Sequence, residues 1–323
     1  MAPLTLFTLA IFGVVFAATE VCAHGIATAL VVFPTGTFYQ GYNPSYQWSR
    51  PPPVVVGWST PDDLQNTFVS PTSYDKPDIV CHFGATPAGA AAPVNAGDTI
   101  EIQWTPWPAS HKGPVIDYLA NCNGPCQNVD KTKLKFFKIS EVGLADAASG
   151  TWGASQLTNN NNSWSVRIPK DIAPGNYVLR HEIIALHAAG QSNGAQNYPF
   201  CYSLAISSNG TANPAGVPAT QFYAANNPGI KFDLFSKFTS YQIPGPALYS
   251  GALLVVQTKP GPIKATATGI AGFVSNAKVG AAMSPTSPAE AAAAAPYPAI
   301  TAAAKYAART LVKTPKRSDA PQI

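Results

Sequence analysis

The chain has 323 residues, a formal net charge of +4 and only 11% charged residues, with 31 prolines and 25 glycines. The charge divides unevenly: residues 252–323 hold eight Lys/Arg against two acids, whereas residues 24–251 hold twelve against thirteen. The body of the chain is therefore nearly neutral, which excludes nucleic acid as a partner and favours an uncharged or weakly charged substrate.

Residues 4–18 are almost wholly apolar and too few to span a bilayer, and Val21-Cys22-Ala23 follows with the small residues that a signal peptidase reads. Residues 1–23 thus predict a signal peptide, a secreted, extracellular protein, no membrane partner and a mature chain starting at His24. An N-terminal histidine offers an amine nitrogen and an imidazole nitrogen from one residue, a ready-made bidentate metal chelate. The residues from 24 to 251, about 228 of them, can build one sizeable core. Short runs of β-branched and aromatic residues recur there between turn signals: Thr99–Trp104, 134–142, 164–168, 176–187 and 200–207. With no helical periodicity and prolines throughout, the pattern predicts an all-β, immunoglobulin-like or fibronectin-like antiparallel β-sandwich. Long loops at 34–80 and 105–130 are the expected seat of function.

Removing Cys22 with the signal leaves Cys81, Cys122, Cys126 and Cys201, which in an exported chain suggest two disulfides with three possible connectivities. Asn121-Cys122-Asn123-Gly124-Pro125-Cys126 is a tight turn able to close on itself, which leaves Cys81 for Cys201. Asn161-Asn162-Ser163 and Asn209-Gly210-Thr211 make Asn161 and Asn209 glycosylation candidates. From residue 252 Ala, Pro, Thr, Ser and Lys dominate, a composition that buries too little apolar surface to order itself. Residues 252–323 are expected to be a flexible basic extension with no carbohydrate-binding module and a short local helix around 302–311.

Five histidines carry the candidate chemistry: His24, His82, His111, His181 and His187. His111 lies in a proline-rich loop, Trp104-Thr105-Pro106-Trp107-Pro108-Ala109-Ser110-His111, where a ring can be held rigidly yet remain exposed. It can supply a third nitrogen beside the His24 pair, and an imidazole-rich tetragonal site with open positions suits Cu(II). His181 shares parity with Tyr177, Leu179 and Ile183 and reads as a core histidine, and His82 also reads as structural. His187, at the strand end, can act as an acid or hydrogen-bond donor. Gln196 and Tyr198 return beside it if residues 188–195 turn, with the Tyr198 phenol towards the metal.

These segments resemble a known family. His24-Gly25, Pro77-Asp78-Ile79-Val80-Cys81-His82, Gln103-Trp104-Thr105-Pro106-Trp107-Pro108 and Ser110-His111-Lys112-Gly113-Pro114 occur in order. Pro174-Gly175-Asn176-Tyr177, Arg180-His181-Glu182, Gln196-Asn197-Tyr198-Pro199 and Tyr241-Gln242-Ile243-Pro244-Gly245 follow. The sequence is similar to the fungal lytic polysaccharide monooxygenases of auxiliary activity family 9, formerly glycoside hydrolase family 61. The resemblance implies one copper ion in a histidine brace: the α-amine and ring of His24, the ring of His111, and Tyr198 at the axial position. It makes His187 and Gln196 the neighbours that position and protonate the oxygen species. It implies an external electron donor, O2 or H2O2 as oxidant, and oxidative cleavage of cellulose or a related β-1,4-glucan at C1 or C4, by a protein expected to be a monomer. A hydrolase would instead need two carboxylates flanking a cleft, and no such pair stands out among the acids.

A site working on crystalline polysaccharide needs a flat face with exposed aromatics. Tyr42, Tyr46, Trp48, Phe235 and Tyr249 are the candidates, Phe235 standing where many family members carry tyrosine. The alternative is a secreted protein that binds copper or cell-wall polysaccharide without oxidative turnover. The joint presence of His187, Gln196 and Tyr198 argues against it.

Overall fold

The computed structural model describes residues 24–257 and 267–268. The signal segment and the short helix read at 302–311 lie outside them. Among the described residues the strands are β1 (Ala27–Phe33), β2 (Thr37–Gln40), β3 (Ala92–Asn95), β4 (Thr99–Trp104), β5 (Val115–Asn121), β6 (Lys135–Val142), β7 (Leu144–Asp146), β8 (Thr151–Trp152), β9 (Ser163–Arg167), β10 (Gly175–Ala185), β11 (Gln196–Ser207), β12 (Val217–Pro218) and β13 (Ala267–Thr268). Two short α-helices accompany them, α1 (Asp78–Cys81) and α2 (Gly153–Asn159). One sheet runs β13-β2-β1-β4-β9, a second runs β12-β6-β5-β10-β11-β3, and β7 pairs with β8. The pairing is antiparallel throughout, except that β3 lies parallel to β11 and β13 parallel to β2. The expected β-sandwich is the fold found.

Between the two sheets Leu30, Val32, Ile100, Ile102 and Trp164 pack against Leu119, Ile139, Leu179 and Ile183, all fully or almost fully buried. The outer face of the six-stranded sheet is covered as well. Tyr118, Phe136, Val178 and Ile184 lie in a second apolar cluster with Trp58, Ile79, Phe222 and Tyr223 from the long connections. β5 and β10 are therefore buried on both faces, and neither alternates between apolar and polar residues, β5 being mostly apolar and β10 holding the paired Arg180, His181 and Glu182 inside. That is why β5 went unread inside the stretch 105–130 expected to be loop: Val-Ile-Asp-Tyr-Leu-Ala-Asn carries no period of two.

Arg180, Glu182, His181 and Asp117 are buried inside this double layer and paired. Arg180 donates to both carboxylate oxygens of Glu182 at 2.7 and 2.8 Å and to the carbonyls of Val80 and Ile79 at 2.8 Å. Glu182 also accepts from Asn197 Nδ2 at 2.8 Å and from the Tyr223 hydroxyl. On the inner face the Trp104 indole donates to His181 Nε2 at 3.0 Å, and His181 Nδ1 lies 2.6 Å from Asp117. His181 is thus the satisfied core histidine that its strand parity suggests.

The Cys81–Cys201 bridge ties α1 to β11, and Cys122–Cys126 closes the turn after β5, both as expected. Pairing continues past Gly251, where the domain boundary was drawn. Leu253 bridges to Arg167, the Gln257 side chain brackets the Ser165 backbone at 2.7 and 3.0 Å, and β13 adds to the edge at β2. The run Leu253-Leu254-Val255-Val256 signals this continuation, which the Ala/Pro/Thr/Ser/Lys composition of residues 252–323 as a whole obscures.

Candidate metal centre

The centre forms at one end of the sandwich, where β1 begins, β4 ends and the β10–β11 ladder closes with Ala185 opposite Gln196. Ile26 N–H donates to Thr105 Oγ1 at 2.9 Å and Thr105 N–H to the Ile26 carbonyl at 2.9 Å, which holds the N-terminal segment on the loop after β4. Gly25 suits this close approach: a Cβ there would lie 3.1 Å from the Thr105 carbonyl oxygen and 3.2 Å from Trp107 Cε3, so the loop would have to give by a few tenths of an ångström. The loop is anchored by Trp107, whose N–H donates to Asn162 Oδ1 at 2.8 Å and whose indole donates to the His111 carbonyl at 3.0 Å. Gly113 lets the same loop meet the end of β10, since a Cβ there would fall 1.9 Å from the Ile184 carbonyl oxygen. Leu186 N–H then donates to the Lys112 carbonyl at 2.8 Å, which sets His187 beside His111.

The four ring-bearing residues converge. The His24 and His111 imidazoles stand 5.3 Å apart, centroid to centroid, at 66°, and the Tyr198 ring is 5.3 Å from His24. His111 and His187 lie at 4.0 Å. Tyr198 donates to Gln196 Oε1 at 2.8 Å, so the turn at 188–195 does bring both residues back to the site. His187 Nδ1 is buried with no hydrogen-bond partner. His187 itself lies beyond the end of β10, which stops at Ala185, so its position follows from the turn and not from strand parity.

Electrostatics favour neutral donors. Burial, then the like charges of His187 and His24, push the His111 pKa down to about 4. Burial and His24 lower that of His187. Burial, then the charge of Asp63, raise the Tyr198 phenol well above its ordinary range. The His111 ring can therefore accept a cation at neutral pH without first shedding a proton, while the Tyr198 phenol keeps its own.

Among the described residues no group of three or more His, Cys, Asp and Glu side chains is placed to hold a metal ion. The pair His24 and His111 gains a third nitrogen only from the His24 backbone. In the full-length chain that nitrogen is bonded to Ala23. The donor set fits copper if His24 is the N-terminal residue, and not otherwise.

The aromatic candidates divide. Trp48 is 62% exposed and Phe235 83% exposed. Trp48 ends the short turn Pro44–Trp48 that follows β2, while Phe235 belongs to a segment joined to the His187 turn by Phe232 N–H donating to the Ala189 carbonyl at 3.1 Å. Tyr42 is half-buried beside Tyr46 at 5.9 Å. Tyr46 corrects the expectation: it is buried, its hydroxyl taken by Gln40, so it packs the loop and presents no face. Tyr249 is corrected too. Its hydroxyl bonds Asp171 at 2.7 Å, before β10, at the end of that strand opposite His187.

Sequence reasoning missed the loop at 60–69. Asn66 Nδ2 donates to the His24 carbonyl, and Phe68 packs edge-on against His24 at 6.2 Å. Only the length of the 34–80 connection pointed there.

A model of Auxiliary Activity family 9 (formerly GH61) matches residues 24–242, beginning at the histidine of the site. The chain belongs to Auxiliary Activity family 9. It is similar to the AA9 family lytic polysaccharide monooxygenase I of Botryotinia fuckeliana, 61% identical over 78% of this chain and 94% of that protein. It is also similar to cel61A of Hypocrea jecorina, at 51% over 78% of this chain and 72% of that protein. Among solved structures, the extended catalytic domain of H. jecorina LPMO9A superposes with a TM-score of 0.73 at 50% identity, covering 77% of this chain and all of that one. HiLPMO9B, at 33% identity, superposes with a TM-score of 0.62.

Proposed function

We propose that the chain is a copper-dependent lytic polysaccharide monooxygenase, an oxidoreductase that cleaves β-1,4-glucan, cellulose foremost, with an external electron donor and O2 or H2O2. The observation that carries this reading is the convergence of His24, His111, His187, Gln196 and Tyr198 on one end of the sandwich, in a family match that starts at His24. Residues 1–23 act as a signal peptide whose removal frees the His24 amine, the two disulfides suiting an oxidising, extracellular setting. Exposed Asn161 and Asn209 are the glycosylation sites of the folded body, and residues 252–323 carry its basic extension.

His24 through its α-amine and ring, and His111 through its ring, hold the copper, with the Tyr198 phenol beside them. Bound copper supplies one-electron chemistry towards the oxygen co-substrate. The remaining work belongs to the chain. Gln196, fixed by the Tyr198 hydroxyl, orients small polar molecules at the open side. The His187 ring holds or delivers a proton there, at the nitrogen not buried against the protein. Trp48 on one flank and Phe235 on the other offer faces for sugar rings, so that the chain of a glucan lies across the site.

The reading is tested with mature protein beginning at His24, loaded with one copper and incubated with amorphous cellulose and ascorbate. Soluble oligosaccharides with aldonic-acid or 4-keto masses are expected, absent without reductant and absent in His111→Ala. Tight copper binding with no oxidised product from cellulose or hemicelluloses would instead support a copper-binding protein without turnover.

A further inference from the structure

The most strained buried residue near the centre is His82, which no step above employs. It holds φ 82° and ψ 179°, a backbone region that side-chain-bearing residues rarely enter, and it is completely buried. Its ring nitrogens face Asp63 and the Thr67 backbone without a well-formed hydrogen bond. Its Nδ1 lies 3.4 Å from Asp63 Oδ2, an oxygen equally buried and equally without a hydrogen bond. The ring is fixed by stacking on Phe200 at 5.5 Å, and the backbone by the neighbouring Cys81–Cys201 bridge. Strain and unmet polar groups together persist only where the surroundings enforce them.

What they enforce is the loop that follows Asp63. The other carboxylate oxygen, Oδ1, accepts from the Thr67 N–H at 2.7 Å and the Thr67 hydroxyl at 3.1 Å. Asn66, inside that turn, has φ 53° and aims its side-chain amide at the His24 carbonyl. Phe68, on the other side, lies 6.2 Å from both the His24 and Tyr198 rings. Val69 then closes the loop onto β11, exchanging backbone hydrogen bonds with Asn197 at 2.9 and 3.1 Å. A path of contacts thus leads from the disulfide through His82 and Asp63 to the carbonyl of the N-terminal residue.

We propose that Asn66 is a positioning residue for the copper centre, holding the His24 carbonyl so that the amine and ring of that residue are preset for one metal ion, and that Asp63 against His82 sets Asn66. The proposal rests on the copper reading for its consequence, but the grip on His24 exists without metal. The Asn66 bond adds a fixed point at the backbone carbonyl of a residue whose ring already packs on Phe68 and Tyr198. Residues that orient metal ligands in this way are commonly worth about 10-fold to 100-fold in metal affinity.

The test uses mature wild-type protein, Asn66→Ala, Asn66→Gln and Asp63→Asn. Exchange of the Ile26 amide in metal-free protein is expected to accelerate several-fold in Asn66→Ala while amides of β5 and β10 keep wild-type rates. Cu(II) affinity by competition titration is expected to fall about tenfold, and the copper hyperfine pattern in electron paramagnetic resonance to shift. Asn66→Gln, which keeps the donor, should recover part of both, and Asp63→Asn should reproduce the effects more weakly. Unchanged Ile26 exchange with unchanged affinity and spectrum in Asn66→Ala overturns the proposal. So does a loss of affinity matched by a general drop in metal-free stability, since that is mere unfolding. If wild-type protein fails to bind copper through three nitrogens, the copper reading fails, and the Ile26 amide alone still decides whether Asn66 holds His24.

Discussion

Two sets of buried polar groups beside β10 are built on opposite terms. At mid-strand, Arg180, Glu182, Asn197, Tyr223, His181 and Asp117 are buried and bound to one another in a closed network. His187 Nδ1, past the end of that strand, and the His82 ring with Asp63 Oδ2, packed on Phe200 opposite His181, are buried without a well-formed hydrogen bond. Both sets hold histidine next to aspartate. His181 sits 2.6 Å from Asp117, whereas His82 stands 3.4 Å from Asp63 on a strained backbone. A protein that satisfies one set so fully and leaves the other open is using them differently. The first set locks strands together, whereas in the second His187 serves the candidate site and His82 with Asp63 sets the loop that reaches His24.

The contrast can be broken most forcefully at mid-strand. Glu182→Ala leaves the Arg180 guanidinium buried without its partner and is expected to cost about 3–5 kcal/mol, read as a lowered denaturant midpoint. His111→Ala should act the other way round. Copper affinity and oxidised product fall by about 100-fold or more, while metal-free stability stays within about 1 kcal/mol, because the His111 ring is half-exposed and lies outside the core.

Acid sharpens the contrast further. His111 titrates near 4, and His82 is also held below the ordinary 6.5 by burial. On unfolding each ring takes up a proton that the folded state refuses, so the stability of metal-free protein is fully present above about pH 6.5 and is lost as pH falls towards 4. Melting temperature against pH measures this, and His82→Phe should flatten the slope. The smallest effect belongs to the exposed flanks. Phe235→Ala or Trp48→Ala should weaken adsorption to cellulose by several-fold, on the order of 1 kcal/mol for one lost stacking face, with copper affinity unchanged.

Much of this was legible in the chain itself. The strands β4, β6, β9, β10 and β11 announce themselves by β-branched runs and turn residues, and the four cysteines pair as their spacing suggests. His24, His111, His187, Gln196 and Tyr198 were each singled out before any fold, and the structure gathers them. What stayed hidden has physical causes. β5 lacks alternation because both its faces are covered. Tyr46 and Tyr249 look like any surface tyrosine until their hydroxyls are seen bonded to Gln40 and Asp171. Asn66 and Asp63 carry no motif, since a grip on a main-chain carbonyl depends on where a loop returns and not on a spacing.

The central claim is that the site becomes a three-nitrogen copper centre only when His24 is the first residue. The most direct measurement compares Cu(II) affinity and electron paramagnetic resonance spectra of protein beginning at His24 with protein beginning at Ala23. The account predicts one tightly bound copper with three nitrogen ligands in the first and affinity weaker by about 100-fold or more in the second. Equal affinity and identical spectra in the two would contradict it.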